Sequence, residues 1–229
     1  MKKLILSLIA LLVTSSAYAN GISGTVQFKG TAPAPEPLSM SADPTCAAAH
    51  SEPVYSQSVI VNDNGTLRNV FVYVKEGLEG KTFETPKESI EFDQKGCMYT
   101  PHVVGAQVGQ KIQIMNSDNT LHNVHSLAEK SKQFNLGMPI QGMKLFKQFD
   151  SPEIMVKMKC DVHPWMSAYI GVLPHPYFSV TDNQGNFSIE SIPAGDYVIE
   201  AWHETYGTQT QSVSVAEGEQ IKVSFEFGV

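Results

Sequence analysis

An all-β fold is predicted for this chain, on three observations. Apolar and polar residues alternate with a period of two in "GTVQF", "NVFVYV", "KIQIM", "EIMVKMKC", "NFSIESI" and "VSVAEGEQIKVSFEF", the pattern of strands with one buried face. Turn signals fall between these runs, at Asn62-Asp63-Asn64-Gly65, Val108-Gly109-Gln110, Asp182-Asn183-Gln184-Gly185 and Ala216-Glu217-Gly218. No apolar stripe with the helical period of about 3.6 residues is present. Composition agrees: only 17% of the 229 residues are charged, which suits a compact chain of one or two domains.

The first element is a leader. Lys2 and Lys3 precede an apolar run from Leu4 to Val13, and Ala17-Tyr18-Ala19 places small residues where a signal peptidase reads. Residues 1–19 are therefore expected to be a removed export signal, the run being short for a bilayer span. The mature protein is then periplasmic or secreted and has no membrane span. Its formal charge of −7 becomes more negative once Lys2 and Lys3 are lost. No basic patch exists to meet phosphates, so nucleic acid is not an expected partner. In an oxidising compartment three cysteines leave one thiol over. Cys46 and Cys97 lie in polar, loop-like surroundings and are the expected disulfide, while Cys160 ends a strand-like run and is expected as a thiolate.

Next comes the strand "GISGTVQFKG", followed by "GTAPAPEPLSMSADP" at 30–44, whose prolines mark an extended linker. A second boundary falls at "LPHPYF", 173–178, where Pro174 and Pro176 interrupt the ladder. The predicted units are 20–87, N-terminal strands and linker; 88–173, a middle domain; and 174–229, part of a second sandwich. The tail from Tyr177 onward holds four or five strands, few for an independent sandwich. "GISGTVQFKG" and "LRNVFVYVKEG" at 67–77 can supply the rest, making the middle domain an insertion. "GISGTVQFKGTAP" and "TDNQGNFSIESIPAGDYVIEAWHETYG" together resemble the carboxypeptidase regulatory-like or transthyretin-like sandwich family, an Ig-like scaffold, which implies a structural role.

The chemistry lies in the middle domain. Alternation in "SPEIMVKMKC" puts Ile154, Val156, Met158 and Cys160 on one face and Lys157 and Lys159 on the other. Cys160 thus points inward. The turn forced before Pro164 lets Cys160, His163 and Met166, spaced three apart, converge as thiolate, imidazole and thioether. A further imidazole can come from "MNSDNTLHNVHS", as His122 or His125. Their opposite strand parity allows only one to reach the site. The competing reading of Cys160 is an inert buried thiol, and Met166 has the weakest case of the set. Trp165 either packs a corner or helps form a docking face.

"FDQKGCMYTPHVVGAQVGQKIQIMNSDNTLHNVHS" followed by "CDVHPWMSAYIGV" resembles the cupredoxins, the family of plastocyanin, azurin and amicyanin, with a short amicyanin-like loop. The resemblance implies a Greek-key β-sandwich over 88–173 holding one type 1 copper. It implies His122, Cys160 and His163 as equatorial ligands and Met166 as the axial one, with Asn116 bracing the ligand loop. His125 is extra to that pattern.

The expected function is an exported blue copper protein carrying single electrons to or from a redox partner such as a cytochrome or a periplasmic oxidoreductase. The alternative is a copper-binding or delivery protein using the same ligands. No Gly-x-Ser-x-Gly elbow, phosphate-cradling glycine loop or Cys-x-x-Cys is present, so no enzymatic activity is expected. A second metal site from His125, His102, His50 and the other cysteines matches no strong zinc spacing. His203-Glu204 lacks the second histidine of a zinc-protease helix, Gly207 standing there.

Overall fold

The computed structural model describes residues 20–228, so the export signal expected at 1–19 lies outside the described residues. Among the described residues, sixteen strands run in chain order. They are β1 (Gly21–Lys29), β2 (Phe71–Glu76), β3 (Ile90–Lys95), β4 (Met98–Thr100), β5 (Val103–Gln107), β6 (Ile112–Asn116), β7 (His122–Ser126) and β8 (Asn135–Met138). There follow β9 (Lys144–Lys147), β10 (Glu153–Lys159), β11 (Ser167–Leu173), β12 (Phe178–Val180), β13 (Asn186–Glu190), β14 (Gly195–His203), β15 (Gly207–Val215) and β16 (Gln220–Gly228). One short helix, α1 (Pro44–Ala48), interrupts the strands among the described residues. The fold is all-β.

Four sheets make two sandwiches. In the first, the order β4-β3-β6-β9 faces β5-β11-β10-β7-β8. Its core is built from the inward positions of those strands, among them Phe92, Tyr99, Ile114, Val124, Met138, Val156, Met158 and Ile170. In the second, β13-β1-β16 faces β12-β2-β14-β15, around Ile22, Val26, Leu67, Val72, Ile199 and Phe225. Strand β1 sits between β13 and β16, antiparallel to one and parallel to the other. Chain start and chain end are therefore woven into one sheet, and the first sandwich is an excursion between β2 and β12.

Strand β2 explains how the halves join. Its alternation sends Val72 and Val74 into the second core, while Phe71 and Tyr73 turn the other way into a small cluster with Val103, Met155 and Leu173. Both faces are buried. Opposite Phe71 the neighbouring sheet carries Gly105 and Gly171, whose missing side chains make room: a Cβ on Gly171 would lie 2.5 Å from the Phe71 ring.

Two local expectations change. The proline-rich 30–44 segment is extended, with Pro37 bridged to Tyr55, but it is more than a linker. Leu38 and Val54 share a backbone hydrogen bond, and Met40 and Cys46 are buried in the first core. Ile154 is turned outward, 37% exposed, because a bulge shifts the β10–β11 register between Glu153 and Val156 and Met155 takes φ 62°. Two residues then oppose one, and the face assignment flips before the bulge. From Val156 onward the alternation holds.

Candidate metal centre

The site forms where three chain segments meet at one end of the first sandwich. His122 opens β7, and its pairing with Met138 on β8 sets it facing the core. Beyond the end of β10, Cys160 continues the inward parity of Val156 and Met158. The loop to β11 is closed by two backbone bonds, Met166 N to His163 O at 2.9 Å and Cys160 N to Met166 O at 3.2 Å. That tight turn brings His163 back over Cys160.

Their donor atoms converge. His122 Nδ1 and His163 Nδ1 are 2.9 Å apart, and Cys160 Sγ is 3.9 Å from His163 Nδ1. One ligand atom from each of the three residues lies within 4.8 Å of the others. His122, Cys160 and His163 are 0%, 3% and 2% exposed. Met166 is fully buried in the same core.

The outer nitrogens decide which lone pairs face inward. His122 Nε2 lies 2.9 Å from Asp118 Oδ2, and His163 Nε2 lies 3.0 Å from Asp43 Oδ2. A carboxylate only accepts, so each Nε2 carries the proton and donates it. Both Nδ1 atoms of the neutral rings then present lone pairs to each other and to the sulfur. Such donors aimed at one buried point repel one another unless a proton or a metal cation lies between them. Two imidazoles and one thiolate with a weak thioether are the type 1 copper donor set; His122, Cys160 and His163 supply the first three, so the residues fit that metal.

Charge in the site follows the same arrangement. Burial works against a proton on His122, but hydrogen bonding and attraction to Asp118 and Cys160 outweigh it and raise its pKa to about 9. Burial would likewise raise the Cys160 thiol, yet His122 and the amides of Asn123, His163 and Val162 bring it down. Asp43 is held at about 2: burial raises it, but hydrogen bonds from Thr120, His163 and the amides of Thr45 and Cys46 prevail.

The surrounding shell fixes these positions. Asn116 is buried, its Nδ2 donating to Met138 O at 2.8 Å and Thr120 O at 3.0 Å while Oδ1 accepts from Asp118 N at 2.9 Å. Asp118 also accepts from the amides of Gly96 and Cys97, both at 2.7 Å. Asn123 Oδ1 receives the Asp161 amide at 2.6 Å. Trp165 donates Nε1–H to Cys97 O at 3.0 Å, with its ring 5.0 Å from that of His163. Cys46 and Cys97 form a disulfide, and Cys46 Sγ lies 3.6 Å from His163 Nε2.

Comparison with solved structures finds weak similarity to several copper proteins. The chain is similar to the copper-containing nitrite reductase of Thermus scotoductus at 20% identity, TM-score 0.36, over 44% of this chain and 25% of that one. A purple cupredoxin of Nitrosopumilus maritimus is 21% identical, TM-score 0.32, over 37% of this chain and 99% of that one. An amicyanin variant in its Cu(I) form is 20% identical, TM-score 0.33, over 44% and 97%. No curated protein matches the chain. One family model matches, polysaccharide lyase family 4, domain II, over residues 175–223. The matching model is not the carboxypeptidase regulatory-like family expected for the tail; the tail's strands do form part of a β-sandwich.

Of the residues singled out in the sequence, His122, Cys160 and His163 come together, Met166 is buried in the same core, and His125 does not join them. His125 pairs across the strands with Lys159 on the outward face and bonds Asp161 Oδ2 through Nδ1 at 2.9 Å. His50 is taken up by Gly96 O at 2.7 Å, and His102 by Glu204. Asp43 and Asp118 were missed by sequence reasoning. Asp118 sits four residues before His122 in a polar turn, a spacing that hints at contact; Asp43, 120 residues from His163, leaves no local signal.

Proposed function

We propose that this chain is an exported one-electron carrier built around a single type 1 copper held by His122, Cys160 and His163, with Met166 as the axial group. The observation that carries the reading is the pair of Nδ1 atoms 2.9 Å apart beside the buried Cys160 sulfur, each imidazole held by a carboxylate at its other end. Copper bound there supplies a couple between Cu(I) and Cu(II) that suits a trigonal donor set.

The chain's own residues do the rest. Burial keeps water and other ligands from the donors, and the closed loop from Cys160 to Met166 holds them in one geometry for both charge states. A closed ligand set leaves no open position for substrate, which favours transfer over catalysis. Leu121, Val162 and Ile140 are exposed large apolar side chains, two of them next in sequence to His122 and His163. Leu121 and Val162, next to the ligands, would meet a redox partner, such as a cytochrome or periplasmic oxidoreductase, and the acidic chain would steer toward a basic patch on it. Among the described residues no helix is long and apolar enough to cross a membrane.

Delivery of copper is the competing role. It would draw on His125 and the methionines for hand-over, but His125 is engaged by Asp161, and Met138, Met155 and Met158 are buried. Voltammetry of the copper-loaded chain separates the roles. A reversible one-electron wave with copper retained through repeated cycles is expected; metal released to a chelator on each reduction would sink the carrier reading.

A further inference from the structure

We infer that Asp43 and Asp118 are positioning residues of the metal centre, a carboxylate brace on the outer nitrogen of each imidazole that holds the site toward Cu(II) and its reduction potential low. The inference rests on the copper reading above and adds the residues that tune it.

Three observations carry it. The two contacts are matched: Asp118 Oδ2 to His122 Nε2 at 2.9 Å and Asp43 Oδ2 to His163 Nε2 at 3.0 Å. Both carboxylates are shielded, with side chains 12% and 19% exposed, so their charge is felt at the ring more strongly than it would be in open water. Both are themselves held. Asp118 takes the amides of Gly96 and Cys97. Asp43 takes those of Thr45 and Cys46 as N-cap of α1, and Oδ2 also receives the Thr120 hydroxyl at 2.8 Å.

The disulfide makes the second contact possible. Asp43 arrives from the proline-rich segment, far from the ligand loop in sequence, and Cys46 of the same turn is tied to Cys97, whose carbonyl also holds Trp165. Strap, disulfide and indole together cover the outer edge of His163.

The chemical effect follows from the hydrogen bond. A carboxylate accepting the Nε2 proton fixes the tautomer that leaves Nδ1 free to ligate, and it pushes electron density toward Nδ1, raising ligand basicity. A more basic, more negative surround favours the more highly charged metal.

The test uses the full copper-loaded protein with Asp43→Asn, Asp118→Asn and the exposed Glu217→Gln, which makes the same charge change on a turn of the other sandwich. Asn remains a good N-cap, so Asp43→Asn keeps α1 and gives a readout even if the Asp118 variant fails to fold. Expected is a Cu(II) affinity about tenfold lower relative to Cu(I) in Asp43→Asn, a potential raised by about 59 mV, with the thiolate charge-transfer band retained and Glu217→Gln unchanged. A band as in the parent with unmoved potential and affinity in Asp43→Asn overturns the brace alone. Absence of the band in the unsubstituted protein overturns the copper reading and the brace with it.

Discussion

His122 Nδ1 and His163 Nδ1 lie 2.9 Å apart on rings tilted by 69°, brought together by a strand entrance and a loop 41 residues further along the chain. Only a proton or a metal ion reconciles two such lone pairs beside the Cys160 sulfur. Cation uptake therefore competes with protons. Below the raised His122 pKa of about 9 the imidazole holds a proton that metal must displace, so affinity should fall about tenfold for each unit of pH below that value. Cu(I) titrations against a competing chelator between pH 6 and 9 check this, pH windows being set by about the same linkage; a flat profile would remove His122 from the ligand set.

The Cys46–Cys97 bridge joins cysteines 51 residues apart in sequence and anchors the strap that carries Asp43 to His163. Replacing both cysteines by serine should cost about 3–4 kcal/mol of stability on chain-entropy grounds, read as a lower urea midpoint. The copper band should also become sensitive to Asp43, because the strap carrying it is no longer anchored.

Acid should weaken the second sandwich first. His203 is buried against Tyr206 and Phe227, and burial pulls its pKa from 6.5 down to about 4. The folded imidazole refuses a proton that the unfolded chain accepts. The depressed folded value means stability is full above about pH 6.5 and is lost as pH falls toward about 4, by about 3 kcal/mol in all. Urea melts of the parent and His203→Phe across that range should diverge, the variant showing the flatter profile.

The seam between sandwiches can be probed through glycine. Gly171→Ala drives a methyl into the Phe71 ring, 2.5 Å away, and should cost about 1–3 kcal/mol by overpacking. Gly137→Ala, with nothing within 4 Å of its Cβ, should change stability by less than about 0.5 kcal/mol. Equal effects in thermal melts would mean that Phe71 does not fill the seam.

Much of this centre was legible along the chain because period-two alternation is a local property. Lys157 and Lys159 mark the outward face of β10, which fixes Cys160 inward, and the same rule separates His122 from His125. The rule fails at Ile154, where a bulge at Met155 adds a residue to one strand without any Gly or Pro to announce it. It is also silent for β2, whose two apolar faces serve two different cores. Asp43 was read as linker because the prolines of 30–44 mark extended chain; its role depends on a fold that returns the strap to His163. The hairpin consensus of the tail specifies a sandwich but not which family of sandwich.

His122, Cys160 and His163 are proposed to hold one type 1 copper. Cu(II) titration followed by visible absorption tests it most directly. An intense thiolate-to-copper band should rise linearly, saturate at one equivalent per chain and vanish in Cys160→Ser. No intense band, or one that persists in Cys160→Ser, would contradict it.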